Sequence, residues 1–88
     1  MATDADIFEA RQRFETELGV PADTARRIAS VLEQRYSSQI VRASRTDVLQ
    51  AASWAAQRLR QRFSSAGLER ANLEELAAAL ADGCPLCA

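Results

Sequence analysis

The sequence predicts an all-α fold, a compact bundle of three to four helices followed by a short cysteine-containing C-terminal tail. Apolar residues recur every three or four positions, which is the spacing of amphipathic helices. The three glycines and two prolines are few, and most lie where helices are expected to begin or end. No segment alternates apolar and polar residues as a half-buried strand does. We therefore expect one helical domain over residues 1–83 and a tail over residues 84–88 that carries a CPLC motif.

The first helix is expected to run from Asp4 or Ala5 to Leu18. Gly19 follows at the position where helices often end in a left-handed conformation. The apolar face of this helix is expected to consist of Ile7, Phe8, Ala10, Phe14 and Leu18.

The second helix is expected to begin at Pro21, whose fixed φ suits the first helical position. Two alternatives remain for its end. It either continues past Ser37 and Ser38 or breaks at this serine pair. Its apolar face consists of Ala25, Ile28, Ala29, Leu32 and Tyr36, and a continuous helix adds Ile40 and Ala43.

The third helix has a clear start, because Ser44 followed three residues later by Asp47 resembles a capping box. We expect it to end at residues 64–67, Ser-Ser-Ala-Gly. Its apolar stripe consists of Val48, Leu49, Ala52, Ala55, Ala56, Leu59 and Phe63. The small alanines in this stripe favour close approach of another helix.

A fourth, short helix is predicted by a second capping box, formed by Asn72 and Glu75. Gly83 is a candidate for the residue that follows its end. Its buried face is expected to consist of Leu73, Leu76, Ala77 and Leu80.

Charge is distributed unevenly along the chain. The net charge is −1, yet eight of the eleven arginines lie between Arg26 and Arg62, where only Glu33 and Asp47 are acidic. A basic middle thus separates two acidic ends. This layout favours an anionic partner, or basic and acidic surfaces that meet within one chain or between two chains.

Composition excludes several classes of function. The chain has no histidine and no lysine, so it lacks the usual general base near pH 7 and any amine for a Schiff base or a P-loop. We expect no enzymatic activity and no cofactor. No apolar run is long enough to cross a bilayer, and the acidic N-terminus is unlike a secretory signal. A cytoplasmic location is the default expectation.

Trp54 is the first candidate for a binding residue. It lies about 150° from the middle of the third helix's apolar stripe, on a far face with Asp47, Ala51, Arg58 and Gln61. An exposed tryptophan beside an arginine four residues on is typical of binding hot spots. The alternative is that this helix is buried on two sides and that Trp54 packs on a second layer.

The arginines of the second helix are further candidates. Arg27, Arg35 and, in a continuous helix, Arg42 lie in a narrow sector beside the apolar face. There an arginine can bury its stem and offer its guanidinium to carboxylates or phosphates. The alternative is a solvated face whose charges pair with acids of the first and fourth helices.

A short stretch resembles the turn and second helix of a helix-turn-helix DNA-binding domain. It consists of residues 18–20, Leu-Gly-Val, followed by Thr24 and Ile28. The resemblance implies that residues 22–36 are the recognition helix, with Thr24, Arg26 and Arg27 facing a groove or its phosphates. The sequence departs from the pattern at Glu15, where such domains usually have a small alanine, and at Asp23, which would repel phosphate.

Cys84 and Cys87 have the spacing of one knuckle of a zinc ribbon or rubredoxin, which the tail resembles. A tetrahedral site needs four ligands, so zinc would have to be shared between chains or with a partner. A thioredoxin-like role requires a helix N-terminus beside the thiol, whereas these cysteines follow a helix's C-terminal end. Ordinary thiols, a metal or disulfide link between chains, and the modified C-terminus of a processed peptide remain as alternatives.

These features favour a non-catalytic interaction protein, an adaptor, inhibitor or regulator. It is expected to dock on a larger assembly through Trp54, Arg58 and the arginines at 27, 35 and 42. The expected partner is a protein with an acidic or nucleic-acid-associated surface, and a homodimer is a further option. The alternatives are a helix-turn-helix transcription regulator and a protein or peptide precursor that acts through Cys84 and Cys87.

Overall fold

The computed structural model describes residues 1–87, and this part of the chain contains helices and no strand. The α-helices are α1 (Asp4–Leu18), α2 (Ala22–Arg35), α3 (Ser37–Arg42), α4 (Arg45–Arg62), α5 (Ser65–Arg70) and α6 (Leu73–Ala79). A 3₁₀ turn at Pro85–Cys87 follows. The all-α prediction is confirmed, and α1, α2, α4 and α6 correspond to the four predicted helices.

The central helix is α4, against which α1, α6 and the Pro85–Cys87 turn pack. Its buried residues extend beyond the predicted stripe and include Ala51, which the helical wheel placed on the far face. The buried set is Val48, Leu49, Ala51, Ala52, Ala55, Ala56 and Leu59. Because four of these seven residues are alanine, neighbouring helices can approach α4 closely.

The core draws on nearly every helix. Its largest fully buried side chains are Phe14, Ile28, Leu59, Leu68, Leu76 and Leu80. Burial of each such side chain contributes about 1.5–3 kcal/mol relative to exposure. Since Leu68 lies in α5 and Leu76 in α6, the two short helices are held largely through this core.

Local capping explains where the helices begin. The Ser44 hydroxyl accepts a hydrogen bond from the Asp47 N–H at 3.2 Å, and Asn72 and Glu75 form a complete capping box. Both predicted starts are confirmed. Gly19 ends α1 with a φ of 72°, as predicted, in the left-handed region that glycine enters without steric cost.

The segment after α4 differs from the prediction. Residues 64–67 were expected only to end the third helix, but Ser64 opens the additional helix α5, and its hydroxyl accepts from the Gly67 N–H at 3.0 Å. Gly67 therefore lies inside a helix. The chain turns at Phe63, whose φ of −136° and ψ of 148° are extended, and Ser64 then acts as an N-cap.

The second helix breaks at Tyr36, one residue before the serine pair. Tyr36 has a φ of −113° and a ψ of 24°, and α3 begins after it as a separate helix. Its side chain is 4% exposed, and its hydroxyl donates to the carbonyl oxygen of Leu80. The break thus coincides with the insertion of the tyrosine between α2 and the end of α6.

Two residues assigned to buried faces are exposed instead, so these assignments were wrong. Phe8 is 59% exposed because it lies about 120° around α1 from the buried Phe14. Leu73 is 61% exposed at the first position of α6, where Leu76 and Ala79 supply the buried contacts. None of the described helices is both long and apolar enough to cross a membrane.

Candidate binding surface

Trp54 lies half-buried against the core. Tyr36 meets its ring edge to face, with centroids 6.4 Å apart and planes at 79°. The guanidinium carbon of Arg58 lies 5.3 Å from the centroid of the tryptophan ring, within cation–π range. Trp54 therefore packs on a second layer, formed by Tyr36 and the segment that follows α6, which corresponds to the internal-packing alternative.

Arg58 joins α4 to the end of α6. One of its terminal nitrogens donates to the carbonyl oxygens of Ala79 at 3.3 Å and Asp82 at 3.1 Å. The same nitrogen lies 3.2 Å from the Asp82 carboxylate. The last carbonyls of a helix have no partner within the helix, and a cation near them also favours the helix dipole. Arg58 thus caps α6 while its other side contacts Trp54.

Arg27 plays a similar part for α5. Its guanidinium donates to the carbonyl oxygens of Leu68, Glu69 and Ala71, each at 3.2 Å. These acceptors lie in the last turn of α5 and at its C-cap. Three of the Arg27 donors are therefore engaged by backbone carbonyls of α5, which neither Arg35 nor Arg42 contacts by a hydrogen bond.

Arg42 lies beside the C-terminal turn, and Arg35 lies against Tyr36, which itself borders that turn. The guanidinium carbon of Arg35 is 5.8 Å from the Tyr36 ring centroid, and Tyr36 borders a depression shared with Cys84 and Cys87. Arg42 borders a second depression with Pro85. We call the exposed residues Arg35, Arg42, Pro85 and Cys87 the tail face.

The tail face carries two arginines without an ion pair, and Asp47 and Asp82 border its two depressions. Neither Arg35 nor Arg42 has a carboxylate within salt-bridge distance among residues 1–87; Arg42 donates only to the Ser38 carbonyl of its own helix. Val41, next to Arg42, is 62% exposed. Asp47 is the acid that borders the Arg42 side. Two unpaired cations beside apolar surface are thus available to an acidic partner.

Elsewhere the basic middle and the acidic ends meet within the chain. Arg45 lies 2.6 Å from Glu9 and 3.7 Å from Asp6, and Arg58 contacts Asp82. Among residues 1–87 these are the ion pairs in which an arginine of the middle contacts an acid of either end, and Arg11–Glu33 joins the middle to the N-terminal end with the charges reversed. Because Arg45 and its two acids are partly exposed, these pairs are worth about 0–1 kcal/mol each.

The structure places the helix-turn-helix residues in different settings. Residues 19–21 connect α1 to α2, and Arg26 is exposed on α2. Thr24 is half-buried, and Arg27 is engaged with α5. Arg26 borders a shallow groove together with Glu15 and with the Arg11–Glu33 ion pair, so charges of both signs lie near the one remaining cation of this set.

The two cysteines differ in accessibility. Cys84 is buried and Cys87 is exposed, and both are free thiols. Burial raises the pKa of the Cys84 thiol above its ordinary value near 9.0. Among residues 1–87 no three His, Cys, Asp or Glu side chains are grouped so that they could hold a metal ion. The tail is packed, since the turn contacts α3 and α4.

A narrow apolar cleft of about 50 Å³ lies between α1, α2 and α4. Leu86 borders it beside Phe14 and Leu32, so the tail completes the cleft wall. The Arg11–Glu33 ion pair lies at its edge and raises the pKa of Arg11. The cleft is part of the packing of the tail on the bundle.

Helical spacing alone did not reveal the role of Tyr36. The sequence placed it on the apolar face of the second helix, but its hydroxyl caps α6 and its ring contacts Trp54. A tyrosine at the end of an apolar stripe is the available signal, because a buried phenol needs a hydrogen-bond partner.

Comparison with protein-family models, curated proteins and solved structures gives no significant match.

Proposed function

We propose that this chain is a non-catalytic interaction protein that docks on an acidic surface of a larger protein assembly through its tail face. The observation that carries the proposal is the pair of exposed arginines without a carboxylate partner among residues 1–87, Arg42 beside the C-terminal turn and Arg35 against the ring of Tyr36. Arginine is well suited to such contacts because its planar fork pairs with carboxylates and is weakly hydrated.

The other residues of the predicted docking set have a supporting part in this proposal. Trp54, Arg58 and Arg27 contact the protein itself, so they hold the short helices and the tail in place. An adaptor, inhibitor or regulator built in this way presents a rigid basic face. Preorganised side chains lose less conformational entropy on binding, which favours affinity.

The first test uses charge reversal with a matched control. Arg35→Glu/Arg42→Glu is compared with Arg62→Glu/Arg70→Glu in pull-downs from the source cell. All four arginines are the last residues of helices, so both variants carry the same change of charge and a similar cost to the helix dipoles. We expect the first variant to lose at least about 90% of the captured partner, a change of roughly 1.4 kcal/mol or more, and the second to retain it. Equal capture by both variants would contradict the proposal.

The absence of lysine allows a sharper test of the contact itself. Arg42→Lys introduces the single lysine of the chain while keeping the charge, and a carbodiimide then links that amine to a carboxylate at salt-bridge distance. The expected result is a covalent complex with the captured partner. Arg70→Lys is the control and should give no more complex than the wild type, whose own carboxylates and N-terminal amine can also be coupled to the partner. If both variants form the complex to the same extent, the partner does not bind at the tail face.

Duplex DNA binding through α2 is the second candidate function, and the exposed Arg26 after a short inter-helix turn is the observation that favours it. Fluorescence anisotropy with labelled duplex DNA separates the two functions. DNA binding would weaken steeply with added salt, as counterions are released, and would be reduced by Arg26→Glu. If the chain is an interaction protein, as we propose, it should bind duplex DNA no more tightly than proteins do in non-specific binding.

A further inference from the structure

The C-terminal turn places Cys84 and Cys87 on one side of the backbone. The Cys87 N–H donates to the Cys84 carbonyl oxygen at 3.1 Å, and residues 85–87 form a 3₁₀ turn. In such a turn, residues three apart have eclipsed side chains and are separated by about 6 Å along the axis. Disulfides join residues whose Cα atoms lie roughly 4.4–6.8 Å apart. The backbone spacing is therefore suitable for a bond between the two sulfurs.

The two thiols meet solvent unequally. Cys87 is exposed at the edge of the depression bordered by Tyr36 and Gly83, whereas Cys84 is 6% exposed beneath it. A reagent in solution therefore encounters Cys87 first. Once Cys87 has reacted, Cys84 is the neighbouring thiol that can displace the reagent, and this is the usual division between an attacking and a resolving cysteine.

We infer that Cys84 and Cys87 are a thiol–disulfide exchange site that closes to a disulfide within the chain when a small-molecule disulfide is the oxidant. The inference does not depend on the docking function. The Cys87 thiolate attacks one sulfur of the disulfide, forming a mixed disulfide and releasing one thiolate. Cys84 loses its proton and attacks Sγ of Cys87, which releases the second thiolate. The two protein thiols lose two electrons in total, and their two protons pass to the two small thiols.

The test uses the full chain, reduced and then incubated with oxidised glutathione. Samples are quenched with acid, treated with a maleimide under denaturing conditions and weighed by intact mass spectrometry. The expected product is a monomer that is about 2 Da lighter than the dithiol form and takes up no maleimide. A lasting adduct with one or two glutathiones, or a disulfide-linked dimer, would overturn the inference.

Two variants separate the steps. In Cys84→Ser the resolving thiol is absent, so the mixed disulfide at Cys87 should persist. In Cys87→Ser the buried Cys84 should react at least about tenfold more slowly than Cys87 does in Cys84→Ser, since exchange depends on access to the thiol. Equal rates in the two variants would contradict the assigned order of attack. Circular dichroism of both variants checks that the helices are intact.

Discussion

Side chains from the long helices α2 and α4, and from the residue after α2, cap the carbonyl ends of the short helices. Arg58 donates to the carbonyl oxygens of Ala79, the last residue of α6, and of Asp82, which follows that helix. Tyr36 donates to the carbonyl oxygen of Leu80, the C-cap of α6. Arg27 donates to the end of α5 in the same way. Helices of six or seven residues are not stable alone in water. Their orphan carbonyls therefore need partners, and the arginines of the middle segment supply them.

A glycine comparison tests the position of Arg58. Gly83 has a φ of 82°, and a Cβ there would lie 2.7 Å from a terminal nitrogen of Arg58; Gly19 has a φ of 72° with no atom within 4 Å of its Cβ position. Gly19→Ala should cost about 1–2 kcal/mol through the left-handed backbone alone. Gly83→Ala should cost up to about 1 kcal/mol more, because the added Cβ pushes aside one terminal nitrogen of Arg58 and weakens the hydrogen bonds made by the other. Urea denaturation measures both, and equal losses would contradict the assigned role of Arg58.

At the scale of elements, α5 depends on one residue of α2. Arg27→Met should lower the free energy of unfolding by about 1–2 kcal/mol, since three carbonyls of α5 lose a charged donor. It should also speed amide hydrogen exchange in Ser65–Arg70. The neighbouring Arg26→Met removes an exposed guanidinium and should stay within about 0.5 kcal/mol of the wild type. If the amide hydrogens of Ser65–Arg70 exchange at the same rate in both variants, Arg27 does not stabilise α5.

Helix starts could be predicted from sequence because their capping is local. Ser44 and Asn72 bond to N–H groups three residues away, so a short window contains the whole signal. The helix α5 has such a signal in Ser64, but Ser64, Ser65 and Gly67 together also predict the end of a helix. The break at Tyr36 coincides with a contact to Leu80, 44 residues further on, which no local pattern contains.

The candidate site could be predicted only in part, because helical spacing describes one helix and not its contacts with distant parts of the chain. The wheel correctly separated Trp54 from the middle of the α4 stripe, and spacing paired Trp54 with Arg58. A wheel describes one helix, however, and does not show that Tyr36 and the segment after α6 cover the far face. Arg27, Arg35 and Arg42 fell in one sector only if α2 and α3 formed one helix. The break at Tyr36 separates Arg42 from the others.

For the whole molecule, the uneven charge of the sequence has two consequences. Arg45 and Arg58 contact acids from the two ends of the chain, so part of the basic middle forms ion pairs within the folded chain. Arg35 and Arg42 have no such partner among the described residues; Arg42 lies beside the tail, and Arg35 lies against Tyr36. The interaction hypothesis therefore moves from the Trp54 face to the tail face.

We expect Trp54 and Arg58 to act together in holding α6 and the tail on α4. A double-mutant cycle in urea denaturation tests it, with Trp54→Ala, Arg58→Ala and both changes. We predict a loss of about 2 kcal/mol or more for Trp54→Ala, about 1–2 kcal/mol for Arg58→Ala, and a coupling free energy of about 0.5–2 kcal/mol. If each single substitution changes the free energy of unfolding by less than about 0.5 kcal/mol and the two changes are not coupled, Trp54 and Arg58 do not hold α6 and the tail. Both would then again be candidate docking residues.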